Sequence, residues 1–190
     1  FEAKTVKEFL AYARANPGKL NYASPGNGSP HHLAMEMFKN RTKTFLTHIP
    51  YRGAAPALQD VMGGQVPCMF LDLAAGLPVI TSGKVRALAI GSAKRVAALP
   101  DVPTLAEAGV PNTEVFAFQG ILAPAGLPAA ITTRLNTDLN KALLNPAVVK
   151  RMNDFGMEAL PGTPEQFRAM ARAESKRWGE IIKAAGVKLD

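Results

Sequence analysis

The chain has 190 residues, 47% of them hydrophobic, and its 22 Lys and Arg against 15 Asp and Glu give a formal charge of +7. That is enough apolar content for one large cored domain or two small ones; no segment is polar enough for disorder, and none reaches the ~18 apolar residues of a membrane span. The basic residues are scattered along helical segments, as at Lys150-Arg151 and Lys176-Arg177, with no basic block and no interleaved aromatics. This pattern argues against nucleic acid as a partner.

The chain opens on Phe1 without the basic, apolar and small-residue segments of a signal peptide, so it reads as processed or as part of a longer protein. Apolar residues at Val6, Phe9, Leu10 and Ala13 predict a helix over 6–15, stopped by Asn16-Pro17-Gly18. A strand over 20–23 leads into the turn Ser24-Pro25-Gly26-Asn27-Gly28. Ser29-Pro30 then supplies the N-cap and first residue of a helix to about Lys39. The same order repeats with a strand over 44–49, the turn Pro50-Tyr51-Arg52-Gly53, and a helix over 54–62 closed by Gly63-Gly64. A third cycle has a buried strand over 66–71 with Asp72 at its end, a helix over 74–81, and a strand over 85–90. Alternating strands and helices imply a parallel sheet.

After the Pro-rich passage 99–103 a short helix is expected over 104–108, then a strand over 115–122. Ile131, Leu135, Leu139 and Leu143 mark a helix, Pro146 opens another that Gly156 ends, and a small strand is expected over 157–160. Thr163-Pro164-Glu165-Gln166 has the spacing of a capping box and opens a last helix with a stripe of Phe167, Met170, Ala171, Trp178, Ile181 and Ile182. On that stripe Trp178 is read as core.

Chemistry concentrates at 22–33. Glycines let a backbone approach a ligand closely, and the helix beginning at Ser29 offers N–H groups and the positive end of its dipole to an anion such as a carboxylate. The same residues also suit an ordinary strand-to-helix turn. Tyr51 and Gly53 lie on the second such turn and are expected on the same rim. Asp72 ends the third strand, where ligands of open α/β sheets bind, although taken alone it is read first as the cap of the following helix. Gly26-Asn27-Gly28 matches neither a phosphate loop nor a dinucleotide fingerprint, so no nucleotide cofactor is expected. The histidines are His31, His32 and His48. Adjacent helical rings point about 100° apart, unlike an i, i+4 metal pair, so no metal site is expected. With no nucleophile-elbow pattern and an inert setting for Cys68 in the apolar run 66–70, the chain is not read as an enzyme.

The order of motifs resembles the substrate-binding receptors of tripartite tricarboxylate transporters, the Bug or TctC-like family. The resemblance runs through Pro17-Gly18-Lys19-Leu20-Asn21-Tyr22-Ala23-Ser24, Gly26-Asn27-Gly28-Ser29, His32-Leu33-Ala34, His48-Ile49-Pro50-Tyr51-Arg52-Gly53, Gly63-Gly64-Gln65-Val66, Leu99-Pro100-Asp101-Val102-Pro103-Thr104 and Leu122-Ala123-Pro124-Ala125-Gly126. It implies an α/β fold of the type II periplasmic-binding-protein class, a Venus flytrap with parallel-rich sheets flanked by helices. Residues 1–114 would form its second lobe and 115–190 the C-terminal part of its first, the N-terminal part being absent from this chain. It further implies a periplasmic location, a small organic acid as ligand, membrane permease subunits as partners, and no cofactor. Ser24, Gly26, Asn27, Gly28, Ser29 and Tyr51 then fall on binding loops, with Gly53 beside them and Asp72 as a looser pocket-side match. Part of the core would be left uncovered, to be hidden by the missing segment or in an oligomer. Two rival readings are the ligand-sensing domain of a transcription regulator and a hydrolase or transferase on an α/β sheet.

Overall fold

The computed structural model describes residues 2–115 and 118–187. They fall into two compact units, Phe1–Ala117 with Trp178–Asp190, and Phe118–Arg177.

In the first unit α1 (Val6–Ala15) is capped by Thr5, whose side chain accepts the amide of Glu8, and it buries the expected stripe of Val6, Phe9, Leu10 and Ala13. β1 (Asn21–Ser24) pairs in parallel with β2 (Thr47–Pro50), with Tyr22 opposite His48 and Ser24 opposite Pro50. A parallel pair needs a crossover, and α2 (Pro30–Thr42) provides it. That helix outlasts its expected end at Lys39 because Phe38 and Thr42 continue its buried side, and Lys43 in the left-handed region closes it. α3 (Ala54–Met62) keeps its expected bounds, and α4 (Leu73–Thr81) begins one residue early. The core lies where α1, α2 and the strand pair meet. Tyr22 and Leu46 are fully buried there, and Phe38 packs edge-on against Phe9 at 6.0 Å and Phe70 at 6.3 Å.

The two later strands shrink to single bridges. Segment 66–71 runs alongside β1 but meets it only at Ala23 and Met69, where the Ala23 amide donates to the Cys68 carbonyl at 2.9 Å. Pro67 has no N–H to extend the ladder. Segment 85–90 is reduced to a bridge between Ile90 and Thr104. The expected helix over 104–108 is a run of turns, although Thr104 and Glu107 exchange the two bonds of a capping box. Gly109, at φ 90°, stops it before a second helical turn forms. Of the strand expected over 115–122, Phe116 and Ala117 lie outside the described residues, and 118–122 has no ladder; 157–160 likewise has none. A strand needs a neighbouring backbone that takes successive hydrogen bonds, and here the Val115 amide reaches the Gly91 carbonyl at 2.7 Å without a ladder following it.

The second unit carries α5 (Ala129–Leu143), α6 (Pro146–Asp154) and the start of α7 (Pro164–Ala185). Asn136 and Asn140 hold the carbonyl of Gly162, and Thr163 and Gln166 form the capping box expected from their spacing. None of the three helices has a fully buried residue. Ile131 and Leu135, the expected inner face of α5, are each 47% exposed, and Leu160 is 62% exposed. The stripe of α7, Trp178 included, is half-buried.

Truncation tests this contrast: Leu46→Ala is expected to cost about 2–5 kcal/mol of unfolding free energy in urea titrations, and Leu160→Ala less than about 0.5 kcal/mol.

Candidate functional site

The first two strand-to-helix turns leave the same end of the β1/β2 pair, and the backbone ties them together. The amide of Tyr51 donates to the carbonyl of Ser24 at 2.9 Å and that of Gly53 to the carbonyl of Pro25 at 3.1 Å. Gly26 has φ 141°, a conformation that favours glycine, while a Cβ there would meet the Tyr51 carbonyl oxygen at an ordinary 3.5 Å. The third loop joins them through Asp72, whose carboxylate lies 3.3 Å from His31 Nε2 on the first turn of α2.

Ser24 is wholly buried. Its Oγ accepts the amide of Gly26 at 3.2 Å, reaches the Gly26 carbonyl at 3.1 Å, and lies 2.6 Å from His48 Nε2. A hydroxyl has one proton, so when Oγ donates to Gly26 it is His48 Nε2–H that donates to Oγ. Gly28, at φ 70°, sends its amide to His32 Nδ1 at 3.1 Å. Nδ1 is therefore unprotonated, and the ring proton sits on Nε2, 3.8 Å from Glu36. The His32 and His48 rings stack at 3.9 Å and 13°, and Tyr22 continues the stack below His48 at 4.8 Å. Glu36 accepts the Tyr22 hydroxyl at 2.6 Å and the Lys39 ammonium at 2.5 Å. Burial pushes both imidazoles down, His48 to about 4, with the neighbouring His32 adding to the effect there.

Ser29 caps α2, its Oγ accepting the amide of His32 at 3.3 Å, while its own amide bonds to the Gly26 carbonyl at 3.3 Å. Of the amides of Gly26, Gly28, Ser29, His31 and His32, only that of His31 has no acceptor among the described residues. Asn27 is exposed at the apex of the turn. Tyr51 packs on Ala23, Ala57 and Val66, and its hydroxyl donates to Asp60 at 2.7 Å, a bond that raises its phenol. Asp72 occupies the N-cap position of α4 but makes no capping bond; its side chain, 61% exposed, turns to His31 instead. Burial pushes the Cys68 thiol up to about 12. Sequence reasoning weighed His32 and His48 only as metal ligands and passed over Glu36. The signal for His48 was its place on β2, next to the strand that carries Tyr22 and Ser24. The Ser24–His48 pair is no reactive dyad, because a hydroxyl with no exposed surface admits no substrate.

Residues 1–187 match the model of the tripartite tricarboxylate transporter family receptor. The chain belongs to this receptor family. A protein encoded in the tcbD-tcbE intergenic region of Pseudomonas sp. strain P51 is 38% identical over 94% of this chain, and protein BugT of Bordetella pertussis is 37% identical over 97%. The chain covers 54% and 57% of them, about half the length of these curated relatives. Among solved structures, R. palustris Rpa4515 with adipate has a TM-score of 0.90 at 35% identity, covering 98% of this chain and 62% of that one. MatC from Rhodopseudomonas palustris with bound malate has 0.79 at 33%, over 94% and 62%, and periplasmic binding protein BugD has 0.85 at 36%, over 99% and 64%. The fold of this receptor-family chain is therefore the periplasmic-binding-protein fold that the motif order implies, and its family is one of solute-binding receptors.

The buried His32 and half-buried His48 set a pH dependence. Their folded values lie below the ordinary 6.5, so below pH 6.5 the unfolded chain takes up protons that the native ring at His48 refuses until about pH 4. Stability from this source is full above pH 6.5 and is lost as pH falls towards 4. Thermal midpoints across that window should fall more steeply for the natural chain than for His48→Gln; equal slopes would remove His48 from the effect.

Proposed function

We propose that this chain is the greater part of a periplasmic receptor that captures a small organic acid and delivers it to membrane permease subunits of a tripartite tricarboxylate transporter. The observation that carries the reading is the bound adipate in Rpa4515, a structure this chain follows at a TM-score of 0.90. The malate in MatC supports the same ligand class. The paired turns fit a carboxylate: the first turn of α2 presents the His31 amide and the positive helix end beside the backbone of Gly26, Asn27, Gly28 and Ser29. Tyr51 and Gly53 form the second side of that rim and Asp72 the third, with Ser24 shaping it from beneath. The ligand is held without chemistry, by hydrogen bonds and closure of two lobes. In this reading residues 1–114 form one lobe, and 115–190 are the C-terminal part of the other. The half-exposed apolar faces of α5 and α6 are covered in the whole receptor by further polypeptide or by a second copy. Membership of a transporter receptor family favours this reading over a regulator's sensing domain.

A ligand that binds only the folded form raises its melting temperature. Adipate and malate in a thermal-shift screen are expected to do so, and an uncharged diol of matching length is not; no response to any organic acid would overturn the reading. On size-exclusion chromatography the 190-residue chain should elute as a self-associated or expanded species, whereas a compact monomer would argue against a covered apolar face.

A further inference from the structure

We propose that the stacked imidazoles of His48 and His32 are a clamp that fixes the Gly26-Asn27-Gly28 turn at both ends. Both are positioning residues for the anion-holding rim, a role that rests on the carboxylate reading above.

The turn needs such a device. Gly26 and Gly28 both occupy the left-handed half of backbone space, at φ 141° and 70°, and glycine loses more freedom on ordering than any other residue. A loop of this kind holds one geometry only when its polar groups are tied down. Beside the Ser29 amide, which bonds to the Gly26 carbonyl, the histidines supply one tie at each end. At one end His48 Nε2 meets Ser24 Oγ at 2.6 Å, and the same oxygen accepts the Gly26 amide at 3.2 Å. At the other end His32 Nδ1 accepts the Gly28 amide directly at 3.1 Å. The rings that make these bonds lie face to face at 3.9 Å, so displacing one disturbs the other. Tyr22 backs the stack at 4.8 Å from His48, and its hydroxyl is held by Glu36, which Lys39 neutralises. The clamp thus draws on β1, α2 and β2 and orders the turn before any ligand arrives, lowering the cost of binding. Neither ring is needed to touch the ligand.

Isosteric variants separate this role from bulk packing. His48→Gln keeps a polar group near the place of Nε2, and His32→Asn keeps an acceptor near the place of Nδ1; His48→Leu and His32→Leu remove them. Amide hydrogen exchange by NMR should quicken about tenfold or more at Gly26 in His48→Leu and at Gly28 in His32→Leu, with Ala13 in α1 unchanged. The Gln and Asn variants should restore most of the protection. The natural chain supplies a reading even where a Leu variant does not fold, because its imidazole nitrogen shifts must show His32 with the proton on Nε2. A proton on His32 Nδ1, or loop amides that exchange alike in all folded variants, would overturn the clamp. Titration with adipate and malate keeps the two ideas apart. Loop protection that follows the pattern while the natural chain binds neither acid would leave the clamp standing and sink the carboxylate reading. Binding with unchanged loop exchange would do the reverse.

Discussion

The hydrogen bond between Ser24 Oγ and His48 Nε2 joins the last residue of β1 to the middle of β2 at a point closed to water. A fully buried hydroxyl is costly without a partner, and the half-buried imidazole of His48 supplies one. Their pairing fixes where β1 ends and where the chain must turn. From that point the two turns run side by side, bonded from Tyr51 to Ser24 and from Gly53 to Pro25.

The rim built on this foundation is made mostly of main chain. Side chains near it have local neighbours: Tyr51 bonds to Asp60 and Ser29 to the helix it caps, while His31 Nε2 lies 3.3 Å from Asp72 without a hydrogen bond. Oriented main-chain dipoles of this kind are the means by which the proposed carboxylate site would hold an anion. This suits a family whose solved members hold acids as different as adipate and malate. The net charge of +7 is spread along the chain with no basic block, and it acts at long range.

How much of this was legible in the sequence depended on range. Elements set by local grammar were read to within a few residues: α1 by its stripe, α3 by the turn before it and Gly63-Gly64 after it, α7 by Thr163 and Gln166, and the start of α2 by Ser29-Pro30. Strands depend on a partner elsewhere in the chain, and β2 came out shorter than its apolar run while 66–71 and 85–90 collapsed to single bridges. The rim was visible because Gly and Pro mark turns wherever they occur. The histidines behind it were not, because their importance comes from register: only once Tyr22 is placed opposite His48 does the ring of His32 have anything to stack on. Asp72 shows the same limit, since a capping residue and a partner for His31 look identical along the chain.

Cys68 adds a property that none of these roles requires. Its thiol lies against β1, weakly bonded to the Asn21 carbonyl, and burial keeps it protonated at ordinary pH. A protonated thiol is a poor nucleophile towards alkylating reagents. Half-buried against β1, Cys68 is thus a slow-reacting thiol whose labelling rate follows its access to solvent.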